Sequence, residues 1–169
     1  MNVEHIRTLV TQKCGQPPQA RDDAALNELV DEAAHQDVRE YLRHCLPPET
    51  YVASQVRVLP WEAILRELGE GSAPGSFIRR FGYLIFATSV GGNVVCLHSA
   101  TGRVLWAGHD NFSDDMIMFQ NRTTGEWQYF YEYSPENVEQ AMVLLSENLE
   151  TFLTGLLTDQ LTGQLEALD

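Results

Sequence analysis

The residues of this chain whose types and spacing best suit chemistry are a histidine and three aspartates. His109 and Asp110 are followed by Asp114 and Asp115, and imidazole together with carboxylates can bind a divalent metal or act as acid and base. The cluster lacks the H-E-x-x-H pattern and the glycine and glutamate spacing of an EF-hand. A solvated loop therefore explains it better than a small metal-dependent hydrolase, which is the enzymatic alternative.

Other reactive residues favour structural roles. The three cysteines are widely spaced, without a C-x-x-C pair: Cys14, Cys45 and Cys96. Such spacing is typical of reduced, buried thiols. The pair His98-Ser99 lacks the G-x-S-x-G pattern of a hydrolase nucleophile, and Gly91-Gly92 lacks the lysine and following helix of a phosphate loop. We therefore expect no catalytic residue, no cofactor and no metal.

Charge is the strongest signal in the composition. The formal net charge is −13, the isoelectric point is near 4.6, and Lys13 is the only lysine. The residues after Arg122 include nine acids and no lysine or arginine. Such a field repels phosphate backbones and anionic lipid, so we expect neither nucleic acid nor a membrane as partner. It attracts a basic protein, although solubility alone is the simpler explanation.

Aromatic residues are dense between positions 127 and 133. Strand alternation would place Trp127, Tyr129, Tyr131 and Tyr133 on one face. That face is either part of the core or a partly exposed patch beside acids, and a patch of this kind suits recognition of a basic protein. The residues that we predict to contact a partner are acids and aromatics of the second half of the chain: Asp114, Asp115, Glu126, Trp127, Tyr129, Glu132 and Glu136.

Three apolar runs at positions 83–87, 93–97 and 103–107 predict a three-stranded antiparallel meander, because turn clusters containing Gly91-Gly92 and Gly102 separate them. The runs are apolar on both faces, which predicts a sheet that is covered on both sides. A further strand is predicted at 55–59. Polar residues between 116–120 and 127–133 predict a separate hairpin.

Helices are predicted on both sides of these strands. Asn2 is a suitable N-cap for a helix at 3–13, and Asp22 or Asp23 for one ending near 34. Pro60 at the first helical position and Ser134 before Pro135 predict two further starts, whereas 69–75 reads as a surface loop. Further predicted segments are a helix at 37–45, a helix at 147–158 capped by Ser146, a helical or extended link at 142–145, and a weakly helical stretch at 162–169.

The length and the absence of an apolar run of about 18 residues predict one domain over 1–169 without a membrane span. Its core is expected at about 24–158, with a helix and linker at 1–20 and a tail at 159–169. The first ten residues do not read as a signal peptide, so a cytoplasmic location is expected. The expected fold class is α+β, with an antiparallel or mixed central sheet flanked by N-terminal helices and a C-terminal helix.

Three stretches resemble the SMI1/KNR4 family, also called the SUKH superfamily: the hairpin at 82–97, the third strand and its polar end at 101–110, and the closing helix at 149–157. The resemblance implies this same α+β fold without a catalytic signature. In bacteria it implies an immunity protein that neutralises a toxin, often a nuclease or deaminase. We expect the chain itself to be a monomer or a weak homodimer. In fungi the relatives are regulatory scaffolds, so an intracellular scaffold of the same fold is the alternative.

Overall fold

The fold is known from a computed structural model, which describes residues 1–69 and 71–168. The described residues contain eight strands: β1 (Tyr51–Ala53), β2 (Val56–Val58), β3 (Tyr83–Ser89), β4 (Val94–His98), β5 (Val104–Ala107), β6 (Ile117–Gln120), β7 (Trp127–Phe130) and β8 (Met142–Ser146). Six form one sheet in the order β1-β2-β3-β4-β5-β8, and β6 with β7 forms a second sheet. Every pair is antiparallel, so of the two sheet types expected, the antiparallel one is present.

The described residues also contain eight helices: α1 (Val3–Cys14), α2 (Ala24–Glu32), α3 (Gln36–His44), α4 (Trp61–Glu67), α5 (Gly75–Ile78), α6 (Pro135–Gln140), α7 (Leu149–Leu157) and α8 (Thr162–Glu166). Three predicted N-caps are confirmed. Asn2, Asp23 and Ser134 each accept a hydrogen bond from the backbone N–H three residues ahead, which satisfies a donor that has no partner inside the helix. The α+β class with helices before and after the sheet is confirmed.

The meander of β3, β4 and β5 is covered on both faces, as predicted. All its residues are buried except Thr88 and His98, which are half-buried. On one face, the Phe86 ring meets Tyr41 of α3 and Phe152 of α7 edge-on. On the other face, the side chain of Ile85 lies against the backbone of Gly75 in α5. The meander is therefore the middle layer of the fold, and the helices pack on it.

Strand β1 is absent from the sequence-based prediction, because the turn that follows it lacks the usual residues. Ser54 and Gln55 have φ values of 48° and 69°, which glycine or asparagine normally adopts in a two-residue hairpin. Tertiary bonds hold this turn instead: the Ser54 N–H donates to Asp159 Oδ1 at 2.8 Å, and its hydroxyl donates to the Leu156 carbonyl at 3.0 Å. The predicted strand at 55–59 shortens accordingly to β2.

Four predicted starts or ends of helices and strands differ from those in the structure. Ser146 ends β8, so Asn148 caps α7 instead, and its Oδ1 accepts from Thr151 N at 2.9 Å. Pro60 lies at the N-cap of α4 rather than at its first helical position. The short helix α5 begins at Gly75, the end of the predicted loop. Strand β7 ends at Phe130, three residues before the predicted end.

The segment whose type the sequence left open is extended. Strand β8 pairs with β5, with Val143 opposite Trp106 and Met142 opposite Ala107. Because β5 already pairs with β4 on its other side, β8 completes the sheet as its last strand. After α7, the weakly predicted stretch forms α8, and Leu165 is buried there.

Candidate functional site: a hairpin with an exposed aromatic face

The second sheet is a hairpin whose two faces differ in chemistry. In its register, Ile117 lies opposite Phe130, Met118 opposite Tyr129, Phe119 opposite Gln128 and Gln120 opposite Trp127. Residues directly opposite each other share a face, and neighbours along a strand alternate. One face is therefore built from Ile117, Phe119, Gln128 and Phe130, and the other from Met118, Gln120, Trp127 and Tyr129.

The inner face fixes the hairpin to the rest of the protein. Ile117 and Phe119 are buried, and the rings of Phe119 and Phe130 lie 5.8 Å apart. Burying these side chains removes apolar surface from water and sets which face of the hairpin points outward.

The outer face leaves large aromatic side chains in solvent. Trp127 is 56% exposed and Tyr129 is 48% exposed, and Tyr131, just beyond the strand, is 78% exposed. Of the two interpretations of the aromatic cluster, the exposed patch is confirmed and the core face is wrong for these three residues. Adjacent exposed aromatics are uncommon on a monomer surface unless something binds there.

Tyr133 departs from the predicted alternation, because it turns inward and connects the base of the hairpin to α5. Its ring stacks on Phe77 at 5.8 Å and lies 6.4 Å from Phe112. The hydroxyl donates to the Ser113 carbonyl at 2.7 Å, and Arg80 lies 5.2 Å from the ring centroid. Burial is the main cause of the raised pKa of Tyr133, so the hydroxyl stays protonated and keeps donating.

The five predicted contact acids are all exposed, and they flank this outer face in the chain. Asp114 and Asp115 precede β6, Glu126 directly precedes Trp127, and Glu132 follows β7. Glu136 lies on a different element, in the first turn of α6. Within residues 1–69 and 71–168, none of the five has a basic group within 4.0 Å, the limit that defines an ion pair.

Other acids of the C-terminal half are used inside the fold. Glu139 and Glu147 both pair with Arg103, the latter at 3.1 Å. Asp159 pairs with Lys13 and accepts from the Ser54 backbone, and these two bonds lower its pKa. The unpaired acids are therefore concentrated around the hairpin rather than spread along the tail.

The histidine and aspartate cluster does not assemble into a metal site. His109 Nε2 lies 3.1 Å from Asp110 Oδ1, but both side chains are exposed on a short 3₁₀ turn. Neither Asp114 nor Asp115 joins them, since no group of three or more histidine, cysteine, aspartate or glutamate side chains in the described residues is arranged to hold a metal. The structure thus brings only one pair of the four together.

Sequence reasoning missed the cleft beside the hairpin. A cleft of about 460 Å³ lies between the hairpin and the β5–β8 edge of the main sheet, and Trp127, Phe119, Trp106 and Val143 are among the residues lining it. It also missed Met118 and Gln120 on the outer face. The sequence of 117–120 could have predicted the outward position of Met118 and Gln120, because Ile117 and Phe119 alternate with these less apolar neighbours.

The cysteines are free thiols, with Cys45 and Cys96 buried and Cys14 half-buried. Burial raises the pKa of Cys14 to about 11 and that of Cys45 to about 12. A thiol that resists ionisation is a poor nucleophile, so these residues fit the structural role that their spacing predicts.

The chain matches no protein-family model, no curated protein and no solved structure. The family resemblance described from the sequence therefore stays a prediction. Among the described residues, no helix has the length and apolar character needed to cross a membrane.

Proposed function

We propose that this chain is a non-enzymatic protein-binding domain and that it docks a basic protein through the outer face of the β6–β7 hairpin. The observation that carries the proposal is an exposed aromatic pair, Trp127 and Tyr129, next to carboxylates that have no basic partner in the described part of the chain. Tryptophan and tyrosine are enriched among the few residues that supply most of the binding energy at protein interfaces. Unpaired carboxylates speed association with a partner of opposite charge.

A bacterial immunity protein is the specific form of this function that we propose. The resemblance of 82–97, 101–110 and 149–157 to the SMI1/KNR4 family supports it. A nuclease or deaminase toxin that binds nucleic acid presents a basic surface, and the acids around the hairpin complement such a surface. In this proposal the domain binds the toxin without cofactor or metal and acts as a monomer or a weak homodimer in the cytoplasm.

The first step of the test identifies the partner. The wild-type chain and a Trp127→Ala/Tyr129→Ala variant are immobilised in parallel, and proteins of the source organism retained only by the wild type are identified by mass spectrometry. The proposal expects a basic protein in this set. If it is a toxin, co-expression with this chain restores growth; a partner without toxicity indicates the scaffold alternative.

The second step measures association with that purified partner, using two variants of equal net charge. Glu126→Lys/Glu132→Lys reverses charge at the hairpin, whereas Glu28→Lys/Glu49→Lys reverses it at exposed acids elsewhere. We expect the hairpin variant to slow association about tenfold at low salt and to weaken its salt dependence, and the other variant to change it about twofold or less. Equal effects of both variants would contradict the hairpin as the docking surface.

A further inference from the structure

The outer edge of β8 carries backbone groups that point away from the sheet. His98 N donates to the Arg103 carbonyl at 2.9 Å, which identifies the hydrogen-bonded pairs between β4 and β5. Hydrogen-bonded and non-hydrogen-bonded pairs alternate along an antiparallel ladder, so the backbone N–H and C=O of Trp106 point away from β4 and toward β8. There Trp106 lies opposite Val143, whose backbone groups point back toward β5. The N–H and C=O groups of Met142 and Leu144 therefore face outward.

Within the described part of the chain, these outward groups have no hydrogen-bond partner. Among residues 1–69 and 71–168, no backbone or side-chain hydrogen bond beyond the strand ladders involves the N–H or C=O of Met142 or Leu144. The Leu144 side chain is also 41% exposed. An edge with free donors and acceptors is a template for another strand.

The residue types of β8 do little to prevent pairing at this edge, although Met142 is buried and Leu144 is the exposed residue of the strand. The sequence of β8, MVLLS, contains no charge and no proline, the residues that usually prevent pairing at sheet edges. One irregularity interrupts it, a bulge that leaves Leu145 without an opposite residue. The opposite edge, β1, has only three residues, and Asp159 binds the backbone N–H of Ser54 directly after it.

The cleft beside the hairpin gives an incoming strand room for its side chains. Residues Gln140 to Val143 form one wall, and Phe119 and Trp127 of the hairpin contribute to the other. Trp127 also belongs to the proposed docking face, so the cleft and that face are continuous. A chain that lay along β8 would direct alternate side chains into the cleft and toward solvent.

We propose that an extended, basic segment of the partner protein adds to the main sheet as a seventh strand, alongside β8. The inference rests on the proposed function and states how the partner is held: backbone bonds to Met142 and Leu144 give affinity, and the cleft selects side chains. A second copy of this chain is a poorer occupant, because each copy has a net charge of −13 and the two would repel.

The experiment uses a synthetic probe, so it does not depend on the natural partner. A fluorescein-labelled peptide of about six residues, with alternating valine and lysine and blocked ends, supplies an extended basic strand. Binding to the full chain is measured by fluorescence anisotropy. A second peptide carries N-methyl groups on alternate residues, which removes the N–H donors of one edge while keeping the charge.

Two proline variants provide a matched comparison on opposite edges of the sheet. Leu144→Pro removes one outward N–H of β8, and Val52→Pro does the same on β1. Leu59 N donates to the Phe86 carbonyl, and the alternation that follows from this bond leaves Val52 outward. Val52 is also exposed, at 64%. Proline is tolerated on edge strands at such positions, and circular dichroism with thermal melting checks the fold of each variant.

We expect Leu144→Pro and N-methylation each to weaken binding about tenfold or more, and Val52→Pro to change it about twofold or less. If Leu144→Pro is unstable, Leu144→Lys and the methylated peptide still test strand addition, because a lysine at the edge also opposes pairing with a basic strand. Wild-type affinity in both Leu144 variants, or equal binding of the two peptides, would overturn strand addition.

The two proposals fail in different ways. Peptide binding that is lost in Glu126→Lys/Glu132→Lys but kept in Leu144→Pro would overturn strand addition and support the hairpin surface. In the opposite case, Leu144→Pro loses peptide binding, and the captured partner associates equally with both charge-reversal variants. That result would support strand addition and overturn the hairpin surface. The absence of any binding between the wild-type chain and the peptide would overturn strand addition.

Discussion

Tyr133 follows β7 and connects the base of the hairpin to α5, and the effect of removing its side chain on stability can be predicted quantitatively. Tyr133→Phe keeps the stacking on Phe77 and loses the hydroxyl that donates to the Ser113 carbonyl at 2.7 Å. A typical hydrogen bond contributes about 1 kcal/mol, and water can replace this half-exposed one, so we expect a loss of about 0.5–1 kcal/mol.

Tyr133→Ala removes the ring as well. Truncating a fully buried large aromatic destabilises by about 3–5 kcal/mol, and roughly half of that applies to a half-buried ring. Loss of the aromatic pairing adds about 0.5–1.5 kcal/mol, so the expected total is about 2–4 kcal/mol.

The measurement is urea denaturation, in which a changed midpoint at constant slope reports stability. Tyr131→Phe and Tyr131→Ala are the matched controls, because Tyr131 is two residues away and its side chain has no hydrogen bond or ring contact with the described residues. We expect both to change stability by less than about 0.5 kcal/mol. Tyr133→Ala behaving like Tyr131→Ala would refute the reasoning that this ring fastens the hairpin.

Three further predictions concern the fold around the site. Gly102→Ala should destabilise the protein by about 1 kcal/mol or more relative to Gly125→Ala. Both glycines have positive φ, but a Cβ on Gly102 would lie 2.8 Å from the His35 ring, whereas one on Gly125 would have no atom within 4 Å. Equal urea midpoints of the two variants would contradict this prediction. Ser54→Ala should lose about 0.5–1.5 kcal/mol in the same assay, because one buried hydrogen bond to the Leu156 carbonyl is lost while the Asp159 N–H still donates to that carbonyl at 3.2 Å. An unchanged midpoint would contradict this. The free energy of unfolding should fall as the pH rises above about 8.5, and Cys45 should contribute about 1.4 kcal/mol of this loss per pH unit. The reason is that burial raises the pKa of the folded Cys45 thiol to about 12, so the unfolded thiol ionises first. Cys45→Ala should reduce the slope of stability against pH, and an unchanged slope would contradict this assignment.

The sequence predicted the elements whose patterning and local chemistry agree. The meander follows from apolar runs separated by glycine turns, and the caps at Asn2, Asp23 and Ser134 follow from side chains that accept backbone hydrogen bonds. Strand β1 was not predicted, because the turn at Ser54 is stabilised by hydrogen bonds to Asp159 and Leu156, which are both distant in sequence. A tertiary contact replaced the turn residues on which the prediction depended.

The candidate site was predictable in composition but not in geometry. The aromatics and acids of 114–136 were identifiable from residue type. Their exposure depended on which face of the hairpin packs inward, and Ile117 and Phe119 decide that. The direction of Tyr133 depended on where β7 ends, three residues earlier than the alternation implied. The cleft could not be predicted, because it requires the position of β8 relative to the hairpin.

The charge pattern acquires a different meaning once the ion pairs are known. From the sequence, the absence of basic residues after Arg122 makes the whole C-terminal half a candidate surface for a basic protein. In the structure, Arg103 and Lys13 reach across from the first part of the chain and use three of those acids. The acids around the hairpin have no such partners among the described residues, so their charge is available to a basic partner near Trp127. The β8 edge shares the cleft with that side chain. A basic segment that bound the hairpin as proposed would therefore lie beside the outward backbone groups of Met142 and Leu144, which have no hydrogen-bond partner among the described residues.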